Sequence, residues 1–143
     1  MKASLTKIIW NDWPALFALC AIPIIWIIHF GFPYLKKEAF APIEIGISVC
    51  ILAAVALVWR IVRVTRLFDS GEQTDGVVEA VRIVKDRGRL EYSYRVKEEI
   101  ISGWNPVHKS KQVLSLRVGQ TITVLFDRAQ PKKSIVADIF IAK

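Results

Sequence analysis

His108, Ser110 and Asp127 are the side-chain types of a hydrolytic triad, and Cys20, His29 and Cys50 are the types that hold a soft metal ion. A triad serine has to be exposed on a sharp turn beside its base, and no glycine-flanked nucleophile elbow surrounds Ser110. Asp127 precedes a turn-forming stretch, where an aspartate accepts backbone N–H bonds and so caps the turn. Cys20 and His29 share one apolar run and Cys50 lies in another, without the ligand spacing of a zinc or redox site. The chain contains no phosphate loop, HExxH or CxxC. These residue types point away from an enzyme and carry no cofactor or metal set. His29 keeps two readings: an intramembrane polar contact, because polar groups in lipid are costly, or a residue near the outer interface beside Tyr34 and Lys36.

Arg60, Arg63 and Arg66 are the clearest chemistry in the chain. Guanidinium groups bind phosphates, and here they recur every third residue directly after an uncharged stretch over 45–59. A membrane span ends this way on its cytoplasmic side: the stems stay in lipid and the heads reach the headgroup phosphates. Trp59 and Trp13 fit the same interface as aromatic anchors. Membrane lipids are therefore the first partner the sequence implies.

These residues require two spans to position them. Residues 14–35 carry no formal charge and, at ~1.5 Å per residue, reach roughly 33 Å, enough to cross a bilayer core. Residues 43–64 form the second span, and its helix is expected to continue to Phe68, with Gly71 as a left-handed cap. Pro14 suits a first helical turn, and Pro23 lies inside the first span. The short polar turn over 36–42 forces a hairpin, so both ends of the chain share one side. Lys2, Lys7, Arg60, Arg63 and Arg66 lie on that side against Lys36 and Lys37 at the turn, which places both termini in the cytoplasm.

The net charge is +7, with seven Lys/Arg against three acids in 1–67 and thirteen against ten in 68–143. The first excess sits at membrane edges and calls for no nucleic acid. Tyr92 and Tyr94 alternate with Arg95 and Lys97, so rings and cations face opposite ways and form no stacking platform.

From Thr74 the period changes to two. Residues 77–84 read as a strand, 86–88 as a tight turn using Gly88, and Leu90, Tyr92, Tyr94 and Val96 as the buried face of the next strand. Residues 98–110 read as a long loop, 112–118 as a fourth element, 121–126 as a strand and 135–141 as the last one. Tyr92, Tyr94, Val96, Ile122, Val124 and Phe126 should be buried, with Glu91, Arg95 and Lys97 in solvent. Five or six strands in about 70 residues suggest a small barrel. The organisation is thus α+β: a segment at 1–13, a transmembrane hairpin at 14–68 and a small antiparallel, barrel-like (SH3/OB-like) domain at 69–143.

Short motifs in the β domain resemble a bacterial family of two-span membrane proteins catalogued as domain of unknown function 3592. Thr74-Asp75-Gly76-Val77-Val78 is similar to its opening strand, Tyr92-Ser93-Tyr94-Arg95-Val96 to its tyrosine-rich second strand, and Val118-Gly119-Gln120-Thr121-Ile122-Thr123-Val124 to its glycine-led turn and penultimate strand. Phe126, Arg128 and Gln130 stand where that family tends to have tyrosine, proline and asparagine. The resemblance covers about 72–140, implies the fold, and brings no site residues.

The function these features point to is a non-catalytic, membrane-anchored protein-interaction module in a bacterial inner membrane, with the β domain cytoplasmic. A small oligomeric channel or transporter accessory subunit is the alternative, and a membrane enzyme the third class. The partner would be another protein or a second copy. Trp104, with Ile101 and Val107 in the 98–110 loop, is the candidate binding surface. A loop folded back with Trp104 buried is the competing reading.

Overall fold

The computed structural model describes residues 3–36 and 42–141. Most of the turn expected over 36–42 lies outside them. The chain begins with a short helix, α1 (Leu5–Asn11), and two long ones, α2 (Trp13–Lys36) and α3 (Ile43–Ser70). Their 24 and 28 residues correspond to roughly 36 and 42 Å, against a hydrocarbon core of about 30 Å. Both are long and apolar enough to cross a membrane, and only 11% of the apolar window of each is buried. Phe17, Ile27, Leu52 and Val55 stand open on their surfaces. Where the two helices meet, Gly46 of α3 faces the Trp26 ring of α2: a Cβ at Gly46 would stand 3.9 Å from it.

α3 passes directly into β1 (Glu72–Val84), followed by β2 (Arg87–Val96), β3 (Glu99–His108), the single turn α4 (Lys111–Leu114), β4 (Thr121–Phe126) and β5 (Ser134–Val136). A 3-10 turn (Ala137–Ile139) follows β5. The strands form one antiparallel sheet in the order β3-β2-β1-β4-β5. It curls until its ends nearly close: the Val136 N–H donates to Asn105 Oδ1 at 2.9 Å, and the hydroxyls of Tyr92 and Ser134 meet at 3.0 Å. Inside lie Val78, Leu90, Tyr92, Tyr94, Val124 and Phe140. Val96 is half-buried at the rim and Glu91 is half-covered, because Arg82 and Arg89 close over it at 3.4 and 2.7 Å.

Several local expectations are corrected. The β1–β2 turn is Lys85-Asp86, with Lys85 at φ 59°, not 86–88. Gly88 instead lies in β2, where a Cβ would come 2.0 Å from the Arg82 carbonyl oxygen. Residues 98–110 are not a loop, since most of them form β3. Gln112–Leu114 belongs to a helical turn, and only the first part of 135–141 is strand. α3 ends at Ser70 rather than Phe68, and Gly71 (φ −75°) is no left-handed cap. Gly76 has a packing reason. It lies in β1 between Ile122 and Tyr94, and a Cβ there would come 2.7 Å from Val124 Cγ2 and 2.9 Å from the Ser93 carbonyl oxygen.

Described residues before Trp13 pack against the β domain. Ile8 is fully buried in the same core as Val64 and Leu67 of α3. Ala3 bridges to Ile141, and the Ser4 N–H donates to the Phe140 carbonyl at 3.0 Å. Asn11 donates to the Ile139 carbonyl and, at 3.3 Å, to Gln112 Oε1, which also accepts from Lys7 Nζ at 3.2 Å. The Gln112 amide in turn donates to the Asp138 carbonyl.

Candidate functional site

The triad types are not brought together, and each does local work. Ser110 caps α4, its Oγ accepting from the Val113 N–H at 3.2 Å. Asp127 Oδ1 accepts from the Ala129 N–H at 2.9 Å and fixes the β4–β5 turn. The His108 ring meets Trp10 edge-on at 5.8 Å. Among the described residues, no three His, Cys, Asp or Glu side chains gather as a metal group. His29 packs edge-on to Trp26 and Phe30, with centroids 5.9 and 5.3 Å away.

The residues that do converge lie where the helix pair meets the barrel. Here the arginine row divides. Arg60 is buried and its Nε donates to Asp12, itself fully buried at the α1–α2 corner. Its expected role at lipid headgroups is corrected: its guanidinium ties α3 to the start of α2. Burial pushes the Asp12 carboxyl above its ordinary value, and the charge and hydrogen bond of Arg60, then the charge of Arg63, pull it back only in part. One sequence signal marks Asp12: a lone acid between Trp10 and Trp13, at the start of a long apolar run, needs a cation.

Arg63 and Arg66 turn the other way. With Trp59, they line a cleft of about 570 Å³ between the end of α3 and the β4–β5 turn, which contributes Gln130 and Lys133. Arg63 Cζ lies 5.6 Å from the Trp59 ring centroid, within cation–π range. Trp59 is exposed. Trp13 is half-covered, with Arg87 Cζ 5.7 Å from its ring centroid. Nothing local in the sequence marks Gln130 and Lys133, because only the fold brings their turn to α3.

The Trp104 cluster splits by strand alternation. Trp104 and Ile100 point outward from β3, 59% and 68% exposed, whereas Ile101 is half-buried and Val107 is fully buried in the core. Val107 is therefore removed from the candidate binding surface, and Ile100 joins it. The reading with Trp104 buried is corrected too.

No family model matches the chain, and no match is found among curated proteins or solved structures.

The barrel seam yields a pH prediction. Burial pushes the Tyr92 phenol far above its ordinary value of 10.0, and the hydrogen bond with Ser134 offsets this only partly. The folded chain thus holds the neutral phenol, while the unfolded chain ionises near pH 10. That stability is fully present below about pH 10 and is lost as the pH rises beyond it. Urea midpoints of the detergent-solubilised chain should fall above pH 10, and Tyr92→Phe should flatten the fall. Superimposable slopes would exclude Tyr92 as the titrating group.

Proposed function

We propose that the protein is a non-catalytic, membrane-anchored interaction module of a bacterial inner membrane. α2 and α3 cross the bilayer, and the β domain sits on the cytoplasmic face and offers its outer strand to a protein partner. The likeness to domain of unknown function 3592 belongs to the same proposal. One observation carries it: two helices of spanning length, with only 11% of the apolar window of each buried, join a barrel in which Ala3 bridges to Ile141. The Ala3–Ile141 bridge supports a hairpin with both flanks on one side, and the five-to-two excess of basic residues favours the cytoplasm for that side. Ile100 and Trp104 share one face of β3, about 13 Å apart at 3.3 Å per residue, and Trp104 lies opposite Glu91. An exposed tryptophan on a rigid strand is a frequent binding anchor.

A fluorescent protein fused after Lys143 should glow in cells, and a phosphatase fused there should be inactive; an active phosphatase would put the β domain outside. Trp104→Ala should change stability by no more than about 0.5 kcal/mol, as surface substitutions do, yet release the protein that co-purifies in mild detergent. Retention of that partner would exclude this strand as its site.

A further inference from the structure

The cleft beside α3 changes character along the helix. Leu52, Val55, Trp59 and Val62 form one stripe at helical spacing, 70%, 62%, 60% and 55% exposed. The stripe continues into Arg66, with Arg63 beside it, and the far end of the cleft closes at Ser70 and Gly71. From Trp59 to Arg66 the helix rises about 10 Å, while the headgroup layer of one leaflet is about 5–8 Å thick. The opposite wall is a turn held in shape: the Lys133 N–H donates to the Gln130 carbonyl at 2.8 Å, and the Asp127 N–H to the Lys133 carbonyl at 3.0 Å.

Charge completes the picture. Arg60 has Asp12, Arg82 and Arg89 have Glu91, and Arg128 has Glu72. Among the described residues, Arg63, Arg66 and Lys133 form no salt bridge, although the Arg63 charge also acts on the buried Asp12. The one carboxylate in the cleft, Asp127, uses Oδ1 to cap its own turn. Three cations against one acid leave an electropositive recess, and guanidinium forks match phosphate oxygens.

We propose that this cleft binds the phosphate headgroup of an anionic phospholipid, whose acyl chains run along Val62, Trp59, Val55 and Leu52. The inference rests on the membrane-anchored reading and adds the ligand's class and its seat. Arg63, Arg66 and Lys133 contact the phosphate, and Trp59 fixes Arg63 at the rim while covering the upper acyl chain.

The full chain, purified in mild detergent, is titrated with phosphatidylglycerol or phosphatidylcholine and bound lipid is counted by native mass spectrometry. Phosphatidylglycerol should be preferred by about tenfold or more, as expected for several basic contacts. The triple variant Arg63→Gln, Arg66→Gln, Lys133→Gln should bring the two lipids to parity with an unchanged unfolding midpoint. A charge-matched control, Arg95→Gln, Lys111→Gln, Arg117→Gln, should keep the preference. Parity in the wild type, or equal loss in the control, overturns the inference. Displacement by equimolar inorganic phosphate would mean a free-anion site and overturns the lipid source. Carbonate extraction from phosphatidylcholine vesicles separates the two readings. A chain that stays in the vesicles without preferring phosphatidylglycerol keeps its anchor and refutes the cleft; a chain that is extracted yet prefers it refutes the anchor alone.

Discussion

Arg60→Ala is expected to destabilise the folded chain by about 3–5 kcal/mol, whereas the paired replacement Arg60→Met with Asp12→Leu should be close to neutral. Both side chains are almost entirely out of solvent. Removing the cation strands a buried carboxylate, and the remaining partners cannot repair this: Asp12 Oδ1 and Arg60 Nη2 already lack hydrogen-bond partners among the described residues. Removing both charges deletes the desolvation cost along with the attraction. Against a reserve of about 5–15 kcal/mol, the single change is large. The pH dependence has a definite sign. Burial raises the Asp12 carboxyl, so the folded chain holds this proton more tightly than the unfolded chain does, and this group's contribution is lost as the pH rises through the folded value. Without Arg60 the penalty grows, so acidification should recover part of the lost stability in Arg60→Ala and change the double variant little. Thermal midpoints in detergent between pH 4 and 8 test this. An equally severe double variant would mean that the pair is held for its charges and not for the corner it locks.

The arginine row shows where sequence reading stops. Residues three apart turn through about 300°, so each falls about 60° short of its predecessor's azimuth. Over two steps Arg60 and Arg66 diverge enough for one to point into the protein and the other to point out. The spacing revealed a cationic helix end but could not say which cation had a buried acid waiting.

The barrel was legible wherever one face is wet and the other dry. Leu90, Tyr92 and Tyr94 alternate with Glu91, Ser93 and Arg95, and β2 follows that alternation. β3 was illegible for the opposite reason. Gly103, Asn105 and Pro106 look like loop residues, and two of them have tertiary duties that only the closed sheet reveals. Gly103 lies against the Tyr92 ring, and Asn105 accepts the bond from Val136 across the seam. The first turn is not legible from Gly88 because Lys85, not a glycine, adopts the positive φ. The packing of α1 is not legible because one buried apolar residue, Ile8, in seven helical residues makes too weak a period to read.

Tyr92→Ala should be the most damaging change within the barrel, at about 3–5 kcal/mol, the range for large aromatic truncations in cores. Its ring is fully buried and packs beside Tyr94 at 6.0 Å, which in turn packs against Phe126 at 6.0 Å. The space is tight from the other side too, since a Cβ at Gly103 would stand 2.9 Å from the ring. Truncation empties that space and leaves the buried Ser134 hydroxyl without the partner that joins β2 to β5. Tyr92→Phe keeps the ring and should lose only the hydrogen bond, about 0.5–1.5 kcal/mol. Arg95→Ala, on the exposed face of the same strand, should lie within about 0.5 kcal/mol of wild type. Urea unfolding of the three variants therefore has a required order: alanine at Tyr92 lowest, phenylalanine between, Arg95→Ala level with the parent. If alanine and phenylalanine at Tyr92 were equally destabilising, the hydroxyl at the seam, and not the filled core, would be what holds the barrel closed.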